Sequence, residues 1–381
     1  MEPSEQRTTG ESLLLPHRSH PDLQAACARC PENLPLPGVL RALMDFLGED
    51  YGASHLDAHG KTWRRDHAYT YFTGVSGEAF RFRWAPNTPP SEIDPADGPW
   101  NPIEPVDRAL RASDYEHEIV LQAEFSNRIG NVLYASAGHE RLRSRLVRSI
   151  AAGKPVIAAG ITGPAHTCIL TGFGDRGDIV LGWTMAPGGS PGILFEPDKR
   201  FRFDEWYPAA LWMAFLGERR GRPPFRDVCL STFAHAAAAL TTSIEGSCLA
   251  GPVAFDAWAE AIEAAAGAPA NAPDAEPCAS HIDPWIWDLA ERRWYGARFV
   301  ESALPEFQSH ASELGAAVRI LDEVHDLMWR IDATLRGSER KPKRPVRLAD
   351  AGVRREIARI VQTCKSKDAE AARILENVSA L

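Results

Sequence analysis

Three apolar runs rich in β-branched residues stand close together in the middle of this chain: "KPVIAAGI", "HTCILTGFG" and "DIVLGWTM", between residues 154 and 185. Gly, Pro and Asp punctuate them, which is the pattern of short strands. The "GDRGD" between the second and third is a hairpin-type turn signal. "FRFDEWYPAALWMAFLG" follows with a strand-like alternation and an apolar tail. Two segments ahead of the runs read as helices. "PGVLRALMDFLGED" has Pro37 in its first turn, a stripe of Val39, Leu40, Leu43, Met44 and Leu47, and Gly48 to end it. "HERLRSRLVRSIAAG" ends at Gly153. From about 225 the pattern changes, and apolar residues recur at helical spacing through five successive segments. Helices, then a mostly antiparallel sheet, then helices again is an α+β order rather than an alternating βαβ one.

A length of 381 residues suits two domains. The expected division is a flexible N-terminal arm over 1–36, an α+β domain over 37–220 and an all-helical domain over 225–381. "APNTPPSEIDPADGPWNPIEP" is a long Pro/Asp-rich loop of the kind a compact domain keeps for a reason. A net charge of −9 argues against general binding to nucleic acid or to an anionic membrane. The one basic cluster, "RGSERKPKRPVR", reads as a solvated inter-helix loop. Acids stand where a signal peptide needs positive charge, and no run approaches the ~18 apolar residues of a membrane span. A cytoplasmic protein with no nucleic-acid and no membrane partner is expected.

Seven cysteines scattered over the chain are not a disulfide framework. Cys27 and Cys30 form C-x-x-C without a second ligand pair, so neither a zinc site nor a redox pair is expected there. Glu116-His117-Glu118 alternates as on a strand, and one His between acids is no metal motif. No P-loop, GxGxxG, HExxH or EF-hand spacing appears. No metal and no cofactor are expected.

The most enzyme-like stretch is "YTYFTGVSGEAFRFRW", residues 69–84. Ser76 lies between Gly74 and Gly77, either as a nucleophile or as a hydroxyl that caps the turn begun by Gly77 and Glu78. It lacks the G-x-S-x-G spacing of a nucleophile elbow. Arg81 and Arg83 alternate with Phe80 and Phe82, which puts both guanidiniums on one strand face, against a carboxylate or phosphate or against solvent. Trp84, Trp183, Trp206, Trp285 and Trp287 are candidates to line a pocket between sheet and helices, with core packing as the alternative. His166 opens the second strand, where a fixed imidazole can act as a base. Cys168 follows two residues later and reads as a buried strand thiol.

The order Gly153, Pro155-Val156-Ile157, His166, Gly172-Phe173 resembles the papain-like cysteine peptidase and acyltransferase superfamily. Within it, the pattern is similar to the N-terminal domain of butirosin biosynthesis protein H, to the bacteriocin-leader-processing peptidases and to uncharacterised bacterial proteins. The Gly74–Phe80 run and the Asp256-Ala257-Trp258 helix carry the likeness to the last of these. The resemblance covers most of the chain from about 37. It implies a papain-like domain, helices packed on a mostly antiparallel sheet, with a helical C-terminal domain. It also implies amide-bond acyl transfer or hydrolysis on a small molecule or peptide, with His166 as base.

In that pattern a Cys nucleophile begins the first helix, and this chain has "ENLPLPGVL" there. Ser76, Cys27 and Cys30 are the remaining candidates. An orienting Asp or Asn belongs where the chain has Gly182-Trp183-Thr184, and Asp178 in the turn is the candidate substitute beside Asp175. Gly74, Gly77, Glu78, Arg81, Trp84 and Trp183 are the expected substrate-binding residues, with backbone amides near Gly74–Gly77 as an oxyanion site. The alternative function is a catalytically inactive relative that binds a ligand or serves assembly. A homodimer through the helical half is compatible with either.

Overall fold

The structure is a computed structural model, and it describes residues 12–15, 32–49, 51, 67–86, 88–93, 101–185, 192–244, 247–264, 275–336 and 348–381. The fold is mixed α/β, a mixed sheet with a helical C-terminal region. The chain divides into two compact units. The first comprises 1–72, 94–96 and 102–222, and the second comprises 73–93, 97–101 and 223–381. Residues 73–93, grouped with the sheet in the sequence reading, thus fall with the C-terminal helices.

The first unit is built on a nine-stranded sheet. Its strands are β1 (Leu13–Leu14), β3 (Tyr115–Gln122), β4 (Ala135–Ala137), β5 (Val156–Gly160), β6 (Gly163–Gly174), β7 (Ile179–Thr184), β8 (Leu194–Phe195), β9 (Phe201–Phe203) and β10 (Trp212–Arg219). The spatial order is β4-β3-β10-β5-β6-β7-β9-β8, with β1 added against β6. Every pairing is antiparallel except β3 with β4. The three central runs therefore form adjacent strands of one meander. Asp175 and Arg176 both take positive φ at the β6–β7 turn, as a tight hairpin requires. Leu13 and Leu15, inside the expected arm, are buried, and Leu13 pairs with Phe173.

Two of the helices on this sheet show why in their apolar stripes. In α5 (His139–Ala151), Leu142, Leu146 and Ile150 recur every four residues and pack with Val156, Leu170 and Met213. In α1 (Pro35–Leu47), Leu36 to Met44 are buried and the helix packs on β6. Gly48 ends α1 in the left-handed conformation, where a side chain would be strained. The helix α2 (His67–Val75) belongs to the first unit up to Phe72 and to the second from Thr73.

The second unit is helical but not all-helical. Its helices α7 (Phe225–Thr241), α8 (Pro252–Ala264), α9 (Ala275–Ala303), α10 (Ala311–Arg336) and α11 (Ala351–Ser379) match the five segments of helical spacing. A two-stranded ribbon of β2 (Arg83–Trp84) and β11 (Leu249–Ala250) joins them. The core gathers Phe82, Phe255, Trp258 and Trp285 with Met328 and Val361, so the aromatics of residues 80–84 serve packing. Among the described residues no helix is long and apolar enough to cross a membrane.

Candidate functional site

His166 sits near the start of β6, just past a tight turn in which Gly160 (φ +89°) and Gly163 (φ +137°) both need a conformation that favours glycine. A Cβ on Gly160 would lie 2.3 Å from the Ala209 carbonyl oxygen, so the turn is pinned closely against the residues leading into β10. Inside the turn Thr162 is fully buried, and its hydroxyl lies 3.1 Å from that of Thr184 at the end of β7. The His166 ring is half-buried, and Nδ1 lies 3.4 Å from the Thr162 carbonyl oxygen. In the tautomer that donates from Nδ1 to that oxygen, Nε2 is a bare acceptor. Among the described residues no side chain or carbonyl bonds Nε2. The local chemistry is an oriented imidazole, two hydroxyls and a glycine-permitted close backbone.

Asp178 does not orient this histidine. It stands beyond the far end of the same strand, where Gly174 pairs with Ile179. Eight residues of extended chain from His166 to Gly174 span about 26 Å, at roughly 3.3 Å per residue. Its carboxylate is already engaged, accepting from Arg143 Nη1 at 2.6 Å. No acid takes its place at Gly182-Trp183-Thr184. Cys168 is fully buried opposite Ala158 and Thr184, and burial pushes its thiol pKa well up, against the thiolate a nucleophile requires. The arm cysteines Cys27 and Cys30 lie outside the described residues.

Ser76 belongs to the second unit and His166 to the first. The Ser76 side chain is fully buried, donates to the Thr73 carbonyl at 3.3 Å and accepts from the Glu78 N–H at 3.3 Å. This is the turn-capping arrangement, with both functions of the hydroxyl committed to the backbone.

The rest of the stretch is held by α9. Arg292 Nη1 donates to the Glu78 carbonyl at 2.7 Å and to its carboxylate at 2.5 Å, and Arg293 Nη1 donates to the Ala79 carbonyl at 2.7 Å. Arg81 pairs with Glu78 at 3.4 Å and is buried. It precedes β2, the strand that carries Arg83. Burial by itself raises the Glu78 pKa, but Arg292, Arg81 and Arg83 outweigh it and bring the carboxyl to about 2. The glycines answer to packing. A Cβ on Gly74 would stand 2.3 Å from the Phe299 ring, and one on Gly77 (φ +83°) 2.3 Å from His235 Nε2.

Four of the five tryptophans divide between two interiors. Trp206 packs in the sheet core and donates Nε1 to the Gly177 carbonyl at 3.1 Å, and Trp183 pairs opposite Ile169. Trp84 and Trp285 lie in the core of the second unit, while Trp287 stays partly exposed.

Sequence reasoning passed over an imidazole–carboxylate pair elsewhere in the first unit. His117 Nε2 lies 2.9 Å from Asp107 Oδ1 in α3 (Glu104–Arg111), and Arg111 Nε donates to the other oxygen at 3.0 Å. Only the packing of α3 against β3 brings them together, so no linear motif announces the pair. Among the described residues no three His, Cys, Asp or Glu side chains gather as a metal ion would require. No protein-family model matches the chain, and no curated protein matches it.

Proposed function

We propose that this protein is a ligand-binding relative of the papain-like type, which takes a small molecule or peptide at the His166 end of the sheet and does not carry out amide-bond chemistry. One observation carries the reading. The first turn of α1, where the resemblance calls for the nucleophile, runs Leu34-Pro35-Leu36-Pro37-Gly38 and offers no thiol or hydroxyl. The other candidates add to it: Ser76 is spent on its own turn and Asp178 on Arg143. With no nucleophile and no orienter beside it among the described residues, a His-dependent acyl transfer has only its base. What remains at His166 is a recognition device: an acceptor nitrogen suited to an N–H or O–H donor on the ligand, beside a backbone that glycine lets approach.

The test uses the whole chain, a panel of amino-acid amides and dipeptides, and aryl-amide and thioester reporter substrates. Binding followed by tryptophan fluorescence is expected for part of the panel, weakened about tenfold in His166→Ala, the worth of one hydrogen bond at ~1.4 kcal/mol. Reporter release is expected to stay at the uncatalysed rate. Turnover by the wild type that vanishes in His166→Ala with binding unchanged overturns the proposal in favour of the acyl-transfer reading.

A further inference from the structure

In the second unit, the seam between α9 and α10 carries a row of flat side chains drawn from both helices. Trp287 of α9 meets Trp329 of α10 with ring centroids 5.5 Å apart and planes at 70°. Trp329 meets His325 at 6.0 Å, and His325 meets Trp294 of α9 at 5.0 Å. The Arg298 guanidinium closes the row, 4.5 Å over the Trp294 ring. His325 stands in the middle and is only 4% exposed. Its Nδ1 lies 2.9 Å from the Ala290 carbonyl oxygen on α9, and Trp329 Nε1 donates to its Nε2 at 3.0 Å. A carbonyl oxygen can only accept and an indole N–H can only donate. The two partners therefore fix the ring as neutral, with its proton on Nδ1 and a bare acceptor at Nε2. A second proton has to enter at Nε2, where it sets two donors against each other inside a buried seam.

We propose that this row is a pH-sensitive latch, in which protonation of His325 expels the Trp329 indole and opens the α9–α10 seam at its Trp287 end. The two ends of the row differ in the way this requires. Trp287 is already 37% exposed and Trp329 only partly buried, whereas Arg298 pins the other end through Asp322 and through Glu301 at 3.4 Å. The charges around the ring do not rescue an imidazolium. On α10, Asp322 is taken by Arg298, Asp332 by Arg336 at 2.7 Å, and Asp326 is exposed to water. On α9, Arg298 adds a positive charge beside Trp294, and Asp283 lies about two turns from Ala290. Glu291 is buried but points about 100° around α9 from Ala290. The α11 helix meets α10 through Lys367 and Glu323, on the side of α10 away from His325. An imidazole in the unfolded chain takes up its proton near pH ~6.5, and the latched ring has no place for one. The unfolded chain then binds more protons, so the latch holds above about pH 6.5 and weakens as the pH falls below it.

Tryptophan emission and the indole N–H resonances, followed on the full chain from about pH 8 to 5, test this. The Trp329 resonance, assigned by its loss in Trp329→Phe, is expected to shift as the pH falls through about 6.5, with the emission moving to the red. His325→Gln offers a donor and an acceptor but does not titrate, and it is expected to show neither step. Trp329→Phe keeps a ring against Trp287 and removes the opposing N–H. Its emission step and its loss of urea-unfolding stability over the same range are expected to be smaller than in the wild type, which decides the matter even where His325→Gln does not fold. A wild type with no step between those limits overturns the proposal, and so does a step that persists unchanged in either variant.

Discussion

Arg293 and Asp368 meet in a two-pronged ion pair within the second unit, Nε to Oδ1 at 2.9 Å and Nη2 to Oδ2 at 2.6 Å, with both side chains almost wholly removed from water. The same guanidinium donates to the Ala79 carbonyl at 2.7 Å. One α9 side chain thus ties α11 to the loop that follows Ser76. Removing one partner strands a buried charge, at a cost of about 3–5 kcal/mol, whereas replacing both with apolar groups is often neutral. Asp368→Asn is therefore expected to lower urea-unfolding stability by about that amount. Arg293→Met/Asp368→Leu is expected to recover much of it, short of the Ala79 hydrogen bond. Equal stability of wild type and Asp368→Asn would mean that the pair adds nothing.

Glu78 gives the second unit a definite acid limit. Its folded pKa of about 2 lies below the ordinary carboxylate value of 4.5. The sign follows from proton uptake: below pH 4.5 the unfolded chain binds a proton that the folded one still refuses. The stabilisation is full above about pH 4.5 and is lost as pH falls toward 2. A depression of this size corresponds to roughly 3 kcal/mol. In denaturant titrations at stepped pH, Glu78→Gln is expected to be less stable at neutral pH and to show a shallower loss between 4.5 and 2. Parallel curves for the two proteins would remove Glu78 from the acid response.

The two glycines beside Ser76 predict a contrast with a third. Gly77→Ala places a side chain at φ +83° and against His235, which combines left-handed strain with overpacking, together about 2–4 kcal/mol. Gly138→Ala meets nothing within 4 Å and has an ordinary φ of −74°. Thermal unfolding should therefore fall by several degrees for Gly77→Ala and stay close to wild type for Gly138→Ala. Ligand binding at the His166 end is a separate measurement that neither substitution is expected to abolish.

What was legible in the sequence is what local chemistry decides. The Gly48 stop of α1, the turn at Asp175-Arg176 and the three adjacent strands all follow from residues a few positions apart. The five helices of the second unit announce themselves by periodicity. What was not legible depends on partners far along the chain. β10 inserts between β3 and β5, so the sheet closes around a strand that comes last in order. Arg292 and Arg293 reach Glu78 and Ala79 across 214 positions, which turned an enzyme-like loop into a packing seam. The alternation of Phe80, Arg81, Phe82 and Arg83 suggested two faces of a strand, yet Phe80, Arg81 and Phe82 are all buried, because Glu78 neutralises Arg81 inside. His166 was expected to open its strand, and β6 begins three residues earlier, at Gly163. Asp178 was not excludable until the hairpin register set it at the wrong end.

Ser76 supplies the sharpest single test of what the stretch 69–84 is for. Its hydroxyl accepts one backbone N–H and donates to one carbonyl, inside a fully buried turn. A capping hydroxyl of this kind contributes about 1 kcal/mol. Ser76→Ala is accordingly expected to lose about that much stability, to bind ligands as the wild type does, and to leave fluorophosphonate labelling of the chain unchanged. A nucleophilic serine behaves in the opposite way: alanine would cost little stability and erase both labelling and turnover. Mass spectrometry of probe-treated wild type decides between them, since an adduct on the peptide containing Ser76 requires that hydroxyl to be exposed and activated, and the turn-capping geometry makes it neither.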